Sequence, residues 1–532
     1  MQRNDAKSLH HDHSFTQPQG DLMSFAIVYT RAMIGTDAPL VTVEAHISAG
    51  LPGLTLVGLP ETAVKESRDR VRSALINGGF EFPAKRVTIN LAPADLPKEG
   101  GRYDLPIAVA ILSASGQIDT KLTENYEFSG ELGLSGELRF CRGILPAVLA
   151  ARQSGRQAVV SKQHDAELCI LPSGSALMAD NLLQIAAFFH NQQVLAENNH
   201  LTEKAENNGT ATIDDITGQQ HAKRVLEISA AGGHNLLLLG PPGTGKTMLA
   251  SRLGTLLPPL TAQEALDVAI IQSLTQTSSE QNKWPQRPFR APHHTASSAA
   301  LTGGGSIPRP GEISLAHHGI LFLDELPEFS RKTLDSLREP LESGEIIISR
   351  AKAKVCFPAR IQLIAAMNPS PTGHYQGIHN RSGPQQLLRY LSRISGPFLD
   401  RFDLSIEVPM LPPGTLSRTD KDPPVHEQVK MRVQSAREQQ YRRNGQEKLN
   451  AALSGKETEE VCALSPQDAR FLEDALTQLN LSVRAWHRIL RVSRTIADLR
   501  NDEGAVSRND ILEALSYRVM DRFIHKLQQA VS

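Results

Sequence analysis

A glycine-rich segment between an apolar run and a helical pattern constrains this chain more than any other feature. The segment reads Gly240-Pro-Pro-Gly-Thr-Gly-Lys-Thr247 and directly follows the apolar run Leu236–Leu239. Four apolar residues are too few for a helix core and suit a buried strand, whereas the apolar spacing from Met248 to Leu256 predicts a helix. A strand, a loop with the spacing G-x-x-x-x-G-K-T and a helix together predict a phosphate-binding loop.

The predicted nucleotide site consists of eight consecutive residues: Gly240, Pro241, Pro242, Gly243, Thr244, Gly245, Lys246 and Thr247. Glycines permit backbone conformations in which successive N–H groups point at a polyphosphate, and the helix that follows adds the positive end of its dipole. We expect Lys246 at the β- and γ-phosphates and the Thr247 hydroxyl at Mg²⁺. ATP and Mg²⁺ are therefore the predicted cofactors.

Two further apolar runs end in polar side chains. Ile320–Leu323 leads into Asp324 and Glu325, and a later run ends at Asn368. In a parallel α/β sheet the ligand lies at the carboxyl ends of the strands. We therefore expect Asp324 to hold Mg²⁺, Glu325 to orient and polarise the attacking water, and Asn368 to contact the γ-phosphate or that water.

Composition limits the class of protein. The chain has 532 residues and a net charge of −1, so any surface for nucleic acid must be local. Its four cysteines are scattered, which favours a reducing compartment and disfavours a structural zinc site. No apolar run approaches the length of a membrane span, and residues 1–22 are polar and lack the apolar centre of a signal peptide. We expect a cytoplasmic protein without a membrane partner.

The order of patterns predicts several domains along the chain. They are a disordered tail at 1–22, an α+β domain at 23–190, a polar linker at 191–213, an ATPase core with a parallel sheet at 214–410, and a helical domain at 411–532. Arg331–Leu341, in the core, is predicted as one helix. Ser507, in the helical domain, is predicted to cap the last helix of the chain.

Residues 345–357 predict two short strands around a basic tip. The tip holds Arg350, Lys352 and Lys354, whose alternate spacing would place them on one side of the ribbon. These three cations are candidate DNA-binding residues, and a solvated hairpin tip is the alternative. The irregular segment 284–319 contains the pairs His293-His294 and His317-His318; a metal site there is the weaker interpretation, because adjacent histidines do not have ligand spacing on a regular element.

Three segments of the α+β domain carry a family resemblance: Leu96-Pro-Lys-Glu-Gly-Gly-Arg-Tyr-Asp-Leu-Pro106, Ser129-Gly-Glu-Leu-Gly133 and Arg142-Gly-Ile-Leu-Pro-Ala-Val-Leu-Ala-Ala151. They resemble the proteolytic domain of Lon-type ATPases, a ribosomal S5 domain 2-like fold. The family uses a serine nucleophile and a lysine base. Here Arg102 and Tyr103 stand where the serine belongs and Leu145 stands near the lysine position, so we expect a degenerate, non-proteolytic domain. A dyad that uses Ser113 or Ser129 is not supported by spacing.

The combined motifs resemble AAA+ ATPases, and the His-His insertion with Leu321-Phe-Leu-Asp-Glu-Leu-Pro-Glu-Phe329 resembles the magnesium-chelatase-like ComM/YifB family. The resemblance covers nearly the whole chain from Met23. It implies an AAA+ P-loop core with a C-terminal helical lid behind a Lon-protease-like domain. It also implies Asn368 as sensor 1, Arg484 as sensor 2 and Arg401 as an arginine finger, with Arg393 as the alternative finger.

By the same resemblance, the chain would be a hexameric ATP-driven DNA motor, a branch-migration helicase acting on single-stranded or branched DNA during transformation and recombination. The 287–318 insertion and the 345–357 hairpin would then be pore loops that grip DNA. A chelatase-like ATPase chaperone that remodels a protein partner is the alternative. One departure is clear: many family members have a C-P-C-G arrangement after the sensor asparagine, and this chain has Ser370-Pro-Thr-Gly373, so no zinc role is carried over.

Overall fold

The computed structural model describes residues 24–58, 62–200, 211–275, 286–305, 308–349, 354–373, 383–414, 423–445, 448–479 and 481–531. These residues fall into two compact units that divide after Asn199, and the turn Ile34–Asp37 is grouped with the second unit. Among the described residues, no helix has both the length and the apolar character needed to cross a membrane.

The first unit is a mixed α/β fold built on an eight-stranded sheet. Its strands are β1 (Ser24–Arg31), β2 (Leu40–Ser48), β3 (Gly53–Val57), β4 (Arg86–Ala92), β5 (Tyr126–Phe128), β6 (Glu131–Leu132), β7 (Leu138–Arg139), β8 (Gln157–Ser161), β9 (Ala176–Ala179) and β10 (Ala196–Glu197). Its helices are α1 (Thr62–Asn77), α2 (Asp104–Ala114), α3 (Thr120–Thr123), α4 (Ile144–Gln153), α5 (Asp165–Leu168) and α6 (Leu182–Phe189). The sheet order is β10-β9-β8-β5-β1-β2-β4-β3, and β6 and β7 form a separate pair.

Helix α2 forms the centre of this unit. All eleven of its residues are buried, as the apolar stretch Leu105–Ser113 predicts. The predicted linker begins too early, because β10 pairs antiparallel with β9. The buried side chain of Asn198 donates to the carbonyl oxygens of Leu168 and Pro172, at 3.2 and 3.1 Å, and so ties this segment to the first unit.

The second unit contains a five-stranded parallel sheet. Its strands and those of two small hairpins are β11 (Leu236–Leu239), β12 (Phe289–Arg290), β13 (Gly303–Gly304), β14 (Arg309–Pro310), β15 (Ile320–Leu323), β16 (Glu345–Ser349), β17 (Lys354–Pro358), β18 (Gln362–Met367) and β19 (Leu404–Glu407). The order in the large sheet is β12-β15-β18-β11-β19, and each neighbouring pair is parallel. The strand with the glycine loop is therefore internal.

The apolar runs are buried on both faces of this sheet. Leu236 and Leu238 belong to one hydrophobic core, and Leu237 and Leu239 belong to the other. Because successive side chains of a strand point to opposite faces, a strand between two cores must be apolar at every position. This burial explains why β11 and β15 have the boundaries that their sequences predict.

Helices cover both faces of the sheet and form the remainder of the unit. They are α7 (Gln220–Gly232), α8 (Lys246–Leu256), α9 (Ala262–Ser273), α10 (Ser298–Thr302), α11 (Glu312–Leu315), α12 (Arg331–Asp335), α13 (Arg338–Ser343), α14 (Pro384–Leu391), α15 (Gly396–Leu399), α16 (His426–Asn444), α17 (Gly455–Cys462), α18 (Pro466–Gln478), α19 (Val483–Leu499), α20 (Arg508–Ser516) and α21 (Val519–Val531). Helices α16 and α19 both pack against α7.

One predicted helix is divided in the structure. The prediction of one helix over Arg331–Leu341 is wrong, because the chain forms α12 and α13 with a break between them. Pro340 has no N–H to donate to the carbonyl of Ser336, and its ring would collide with that carbonyl in a continuous helix.

The helix that Ser507 caps is not the last one. It ends at Ser516, and α21 follows after a break. At the break, the Tyr517 carbonyl accepts a hydrogen bond of 2.7 Å from the N–H of Ser405, a residue of the edge strand β19. The chain thus leaves the helical path to form a β-bridge with that strand.

Candidate functional site

The glycine loop lies between the carboxyl end of β11 and the start of α8. Gly243 and Gly245 have φ values of 77° and 84°, which a side chain would disfavour. Gly240 is required for a different reason: a Cβ there would lie 2.4 Å from the carbonyl oxygen of Val408, which follows β19. The loop therefore has the open backbone and the close packing that a phosphate cradle needs.

Lys246 is directed into this loop. Its Nζ donates to the carbonyl oxygens of Gly240 and Pro241, at 2.7 and 2.8 Å, and to Oδ1 of Asn368 at 3.2 Å. Burial lowers the pKa of Lys246, and the nearby charge of Asp324 opposes that shift. Three acceptors for three N–H groups hold the ammonium at the point where the loop and the end of β18 meet.

The acidic pair follows β15 at the same edge of the sheet. The Thr247 hydroxyl donates to Oδ2 of Asp324 at 2.8 Å, so the predicted Mg²⁺ ligands are adjacent. A hydroxyl and a carboxylate are oxygen ligands of the kind that Mg²⁺ prefers. The structure thus brings together Lys246, Thr247, Asp324 and Asn368, four of the residues predicted from separate segments of the sequence.

Glu325 has an unusual backbone and a partner that the sequence did not indicate. Its φ and ψ are 52° and 47°, in the left-handed region that non-glycine residues seldom adopt. Its Oε2 lies 3.1 Å from Nδ1 of His294. Such conformations cost about 1–2 kcal/mol and are concentrated at functional sites. The adjacent pair His293-His294 was the one hint of this contact, and spacing does not reveal it.

The three arginines that the family pattern singles out lie apart from these contacts. Arg401 follows α15 and donates through Nη2 to Glu342, while its Nε is buried without a hydrogen-bond partner. Arg393 is more exposed, and its Nη1 lies 3.0 Å from Oε1 of Glu328.

Arg484, near the start of α19, has its Nη1 3.6 Å from Oδ2 of Asp400. It therefore lies beside the residue that precedes Arg401. The other oxygen of Asp400 lies 3.0 Å from Nη2 of Arg488, a partner that the sequence analysis did not identify.

The predicted basic hairpin is present as β16 and β17, with Ser349 paired to Lys354. Lys354 lies on the exposed face of this ribbon, together with Ile347, which is 49% exposed. The other two candidate DNA-binding residues, Arg350 and Lys352, lie outside the described residues.

The residues at the Lon-type catalytic positions in the first unit are buried. Arg102 donates through Nη2 to the carbonyl oxygen of Arg142, and Tyr103 is fully buried, which raises the pKa of its hydroxyl. Leu145 is also fully buried, in α4. Ser113 is buried on α2, and the Ser129 Oγ lies 3.3 Å from Oγ1 of Thr30. Neither serine has a lysine among these contacts.

The second histidine pair lies near an acidic residue. Potential ligand atoms of Asp267, His317 and His318 lie within 4.8 Å of one another. However, the Arg360 N–H donates to Nδ1 of His317 at 3.0 Å. The neutral imidazole then has its proton on Nε2, and neither nitrogen offers a free lone pair. The hydrogen bonding therefore supports a structural role for His317.

A turn after Asn368 contacts the phosphate loop. Gly373 has a φ of 87°, and a Cβ there would lie 2.8 Å from Cδ of Pro242. Its N–H donates to the carbonyl of Ser370 at 3.0 Å. The segment that departs from the C-P-C-G pattern thus forms a close-packed turn against the loop, with serine and threonine in place of the cysteines.

Comparisons with known proteins agree with this geometry. The family model for magnesium chelatase, subunit ChlI, matches residues 212–416, and two related models match residues 43–164 and 425–518. An uncharacterized protein YifB from Salmonella typhimurium is 58% identical over 96% of this chain and 100% of its own length. A competence protein ComM from Haemophilus influenzae is 58% identical over 95% of this chain and 99% of its own length.

More distantly, the magnesium-chelatase 38 kDa subunit of Cereibacter sphaeroides is 27% identical over 36% of this chain and 57% of its own length. The full-length relatives and the family models agree with the motif at the edge of the parallel sheet. The chain belongs to the magnesium-chelatase-like ComM/YifB family of AAA+ ATPases.

Proposed function

We propose that this protein is a cytoplasmic, hexameric ATP-driven DNA motor that promotes branch migration when incoming DNA is integrated. The observation that carries the proposal is the convergence of Lys246, Thr247, Asp324 and Asn368 at the carboxyl edge of the sheet. The 58% identity to a protein named for competence supports a role connected with DNA uptake.

The roles of the site residues follow from their positions. Lys246 supplies positive charge for the β- and γ-phosphates, and the N–H groups of the loop bind the phosphate oxygens. Thr247 and Asp324 would hold Mg²⁺, which neutralises charge on the phosphates when bound. Glu325 would orient and polarise the water, and Asn368 would position that water or the γ-phosphate.

The remaining roles require neighbouring subunits and DNA. Arg401 would act as the finger toward the next subunit's nucleotide, with Arg393 as the alternative, and Arg484 would act as the second sensor. Lys354, on the exposed face of the β16–β17 hairpin, would contact phosphates of single-stranded or branched DNA. Arg350 and Lys352 are proposed as the other two DNA-binding residues.

A three-way-junction assay tests the motor. The wild type should resolve the junction with ATP and show DNA-stimulated ATP hydrolysis, and Lys246→Ala should do neither because it removes the phosphate-binding cation. The triple variant Arg350→Ala, Lys352→Ala and Lys354→Ala should bind DNA more weakly than the wild type. Its affinity for DNA should also fall less steeply as the salt concentration rises. Lys456→Ala, at an exposed side chain on α17, is the control.

The magnesium-chelatase match favours one other function, an ATPase chaperone that remodels a protein partner. ATP turnover that no DNA changes, together with an inactive wild type in the junction assay, would favour this alternative. We also propose that the first unit is not a protease, since Arg102, Tyr103 and Leu145 are all buried. Cleavage of casein in the presence of ATP would contradict that assignment.

A further inference from the structure

Arg401, the proposed finger, lies at the opposite edge of the parallel sheet from the nucleotide loop of its own chain. Strands β11 and β19 run parallel, with Leu236 beside Leu404 and Leu239 beside Glu407. The loop follows Leu239 at the carboxyl ends of these strands, whereas Arg401 precedes Leu404 at their amino ends. A four-residue strand is about 13 Å long, so the strand itself separates Arg401 from the loop of the same chain.

The backbone of residues 401–404 is held by an extensive set of hydrogen bonds. Its first two N–H groups donate to carbonyl oxygens of α15, at 2.9 and 3.1 Å, and its last two both donate to the carbonyl oxygen of Asn235, at 3.1 Å each. Nη1 of the buried Arg518 donates to the carbonyl oxygens of Phe402 and Asp403, at 3.1 and 3.2 Å. From the first N–H to the third carbonyl, these bonds satisfy every backbone group except the carbonyl of the finger residue.

The side chain of Asn235 supplies the partner for that carbonyl. Its Nδ2 donates to the carbonyl oxygen of Arg401 at 2.9 Å, and its Oδ1 accepts the Leu363 N–H at 2.8 Å. Because both ends of the amide are used, rotation of the amide group would break both hydrogen bonds. Leu363 belongs to β18, and Asn235 immediately precedes β11. One half-buried side chain thus connects the finger residue to two internal strands of the sheet.

We propose that Asn235 is a positioning residue that sets the direction in which Arg401 leaves the sheet. A fixed carbonyl fixes the plane of the peptide group that follows Arg401. Displacement of a catalytic group by about 1 Å can lower a rate about a hundredfold. The inference rests on the proposed function, because it takes Arg401 as a finger that acts on a neighbour's nucleotide.

Asn235→Asp removes this contact with the smallest change of shape. It keeps Oδ1 as the acceptor for Leu363 and replaces the donor to Arg401 by an oxygen that repels the carbonyl. The kcat for ATP hydrolysis by the full chain should fall about tenfold. The KM for ATP and the affinity for a fluorescent ATP analogue should stay at their wild-type values, because the nucleotide loop is intact. Asn235→Ala, which adds no charge, should separate kcat from KM in the same way.

Mixtures of variants distinguish a role in trans from a defect in the chain's own site. Asn235→Asp mixed equally with Lys246→Ala should hydrolyse ATP about five times faster than the mean of the two variants measured alone. In that mixture, an intact loop can meet an intact finger on its neighbour. Asn235→Asp mixed with Arg401→Ala should show no such gain, because both subunits lack a functional finger.

The chain offers a matched control in Asn444, which is also half-buried and belongs to the second unit. Its Nδ2 donates to the carbonyl oxygen of Lys448 at 2.9 Å, the same kind of bond at the same distance. Asn444→Asp makes an equivalent substitution at the end of α16 and should leave kcat unchanged.

An unchanged kcat in both Asn235 variants would overturn the inference, as would an equal fall in Asn444→Asp or a loss of nucleotide affinity that matches the loss of kcat. The reference mixture is Arg401→Ala with Lys246→Ala. No gain in the reference would contradict the finger, and with it that part of the proposed function. A gain in the reference but not with Asn235→Asp would overturn the positioning role alone.

Discussion

At the scale of the residue, His317 shows how burial determines what a histidine can do. The side chain is 3% exposed and its Nδ1 accepts the Arg360 N–H. Burial, then the charges of His318 and Arg360, lower the pKa of His317 to about 3. The residue therefore stays neutral in the folded chain at neutral pH.

This depressed pKa predicts a loss of stability in acid. Below the ordinary histidine pKa of about 6.5, the unfolded chain binds a proton that the folded His317 does not. Above about pH 6.5 the lowered pKa of His317 therefore has no effect on the free energy of unfolding. As the pH falls from there toward 3, it lowers the free energy of unfolding progressively. At pH 5 the penalty should reach about 2 kcal/mol.

Thermal unfolding between pH 7.5 and 5 checks this prediction. His317→Asn, whose Oδ1 can replace Nδ1 as the acceptor, should show a smaller fall in midpoint than the wild type. His190→Asn, at an exposed position, is the control. Equal falls in the wild type and His317→Asn would contradict the prediction.

At the scale of the element, a buried polar network fixes α19 within the second unit. Asp498 is fully buried, and its oxygens accept hydrogen bonds from Arg443 at 2.7 and 2.9 Å, from Arg494 at 3.0 Å and from Asn450 at 2.8 Å. The Asn450 Nδ2 also donates to Oγ1 of Thr495 at 3.0 Å. The network therefore joins α16, the segment that follows it and α19.

Asp498→Ala should destabilise the second unit by about 3–5 kcal/mol, because it leaves the buried guanidinium of Arg494 and the partly buried guanidinium of Arg443 without their counter-charge. The midpoint of thermal unfolding should therefore be much lower in this variant than in the wild type. Glu460→Ala provides the comparison, since it breaks an exposed pair with Lys456 at 3.8 Å and should cost less than about 1 kcal/mol. Equal shifts in the two variants would show that the network is not stabilising.

Elements buried on two faces were predictable, whereas those defined by distant contacts were not. The strands β11 and β15 are continuous apolar runs with a single compatible burial pattern. The division between α12 and α13 could have been anticipated from Pro340, a local signal. The break before α21 depends on Ser405, more than a hundred residues away, and no local pattern indicates it.

The same distinction applies to the candidate site. Lys246, Thr247, Asp324 and Asn368 follow predicted strands, so sheet topology alone brings them together. The contacts of His294 with Glu325 and of Gly373 with Pro242 come from loops, whose paths depend on packing rather than on periodicity.

At the scale of the whole molecule, an arginine finger predicts complementation between defective subunits. Arg401→Ala should lower kcat by about 10³-fold if the residue acts on a neighbour's nucleotide. Lys246→Ala subunits should be inactive for a different reason, because they lack the cation that binds the phosphates of their own nucleotide. In the proposed ring, a mixture of the two variants would contain interfaces that pair an intact Lys246 with an intact Arg401.

Equal mixing of the two variants should restore activity at roughly a quarter of the interfaces, because each interface draws its two subunits independently. ATP turnover of the mixture, compared with each variant alone, measures this recovery. No recovery would contradict a role for Arg401 in trans, and recovery with Arg393→Ala in its place would assign the finger to Arg393.

The hydrogen bonds of Ser405 with Tyr517 and Met520 have a mechanical consequence. The Ser405 N–H donates to the Tyr517 carbonyl, and the Ser405 hydroxyl accepts from the Met520 N–H at 3.0 Å. These two hydrogen bonds attach the start of α21 to the parallel sheet at β19. Tension applied to the far end of α21, for example through a fused handle, would act on these hydrogen bonds and on the edge strand before it reached the nucleotide loop.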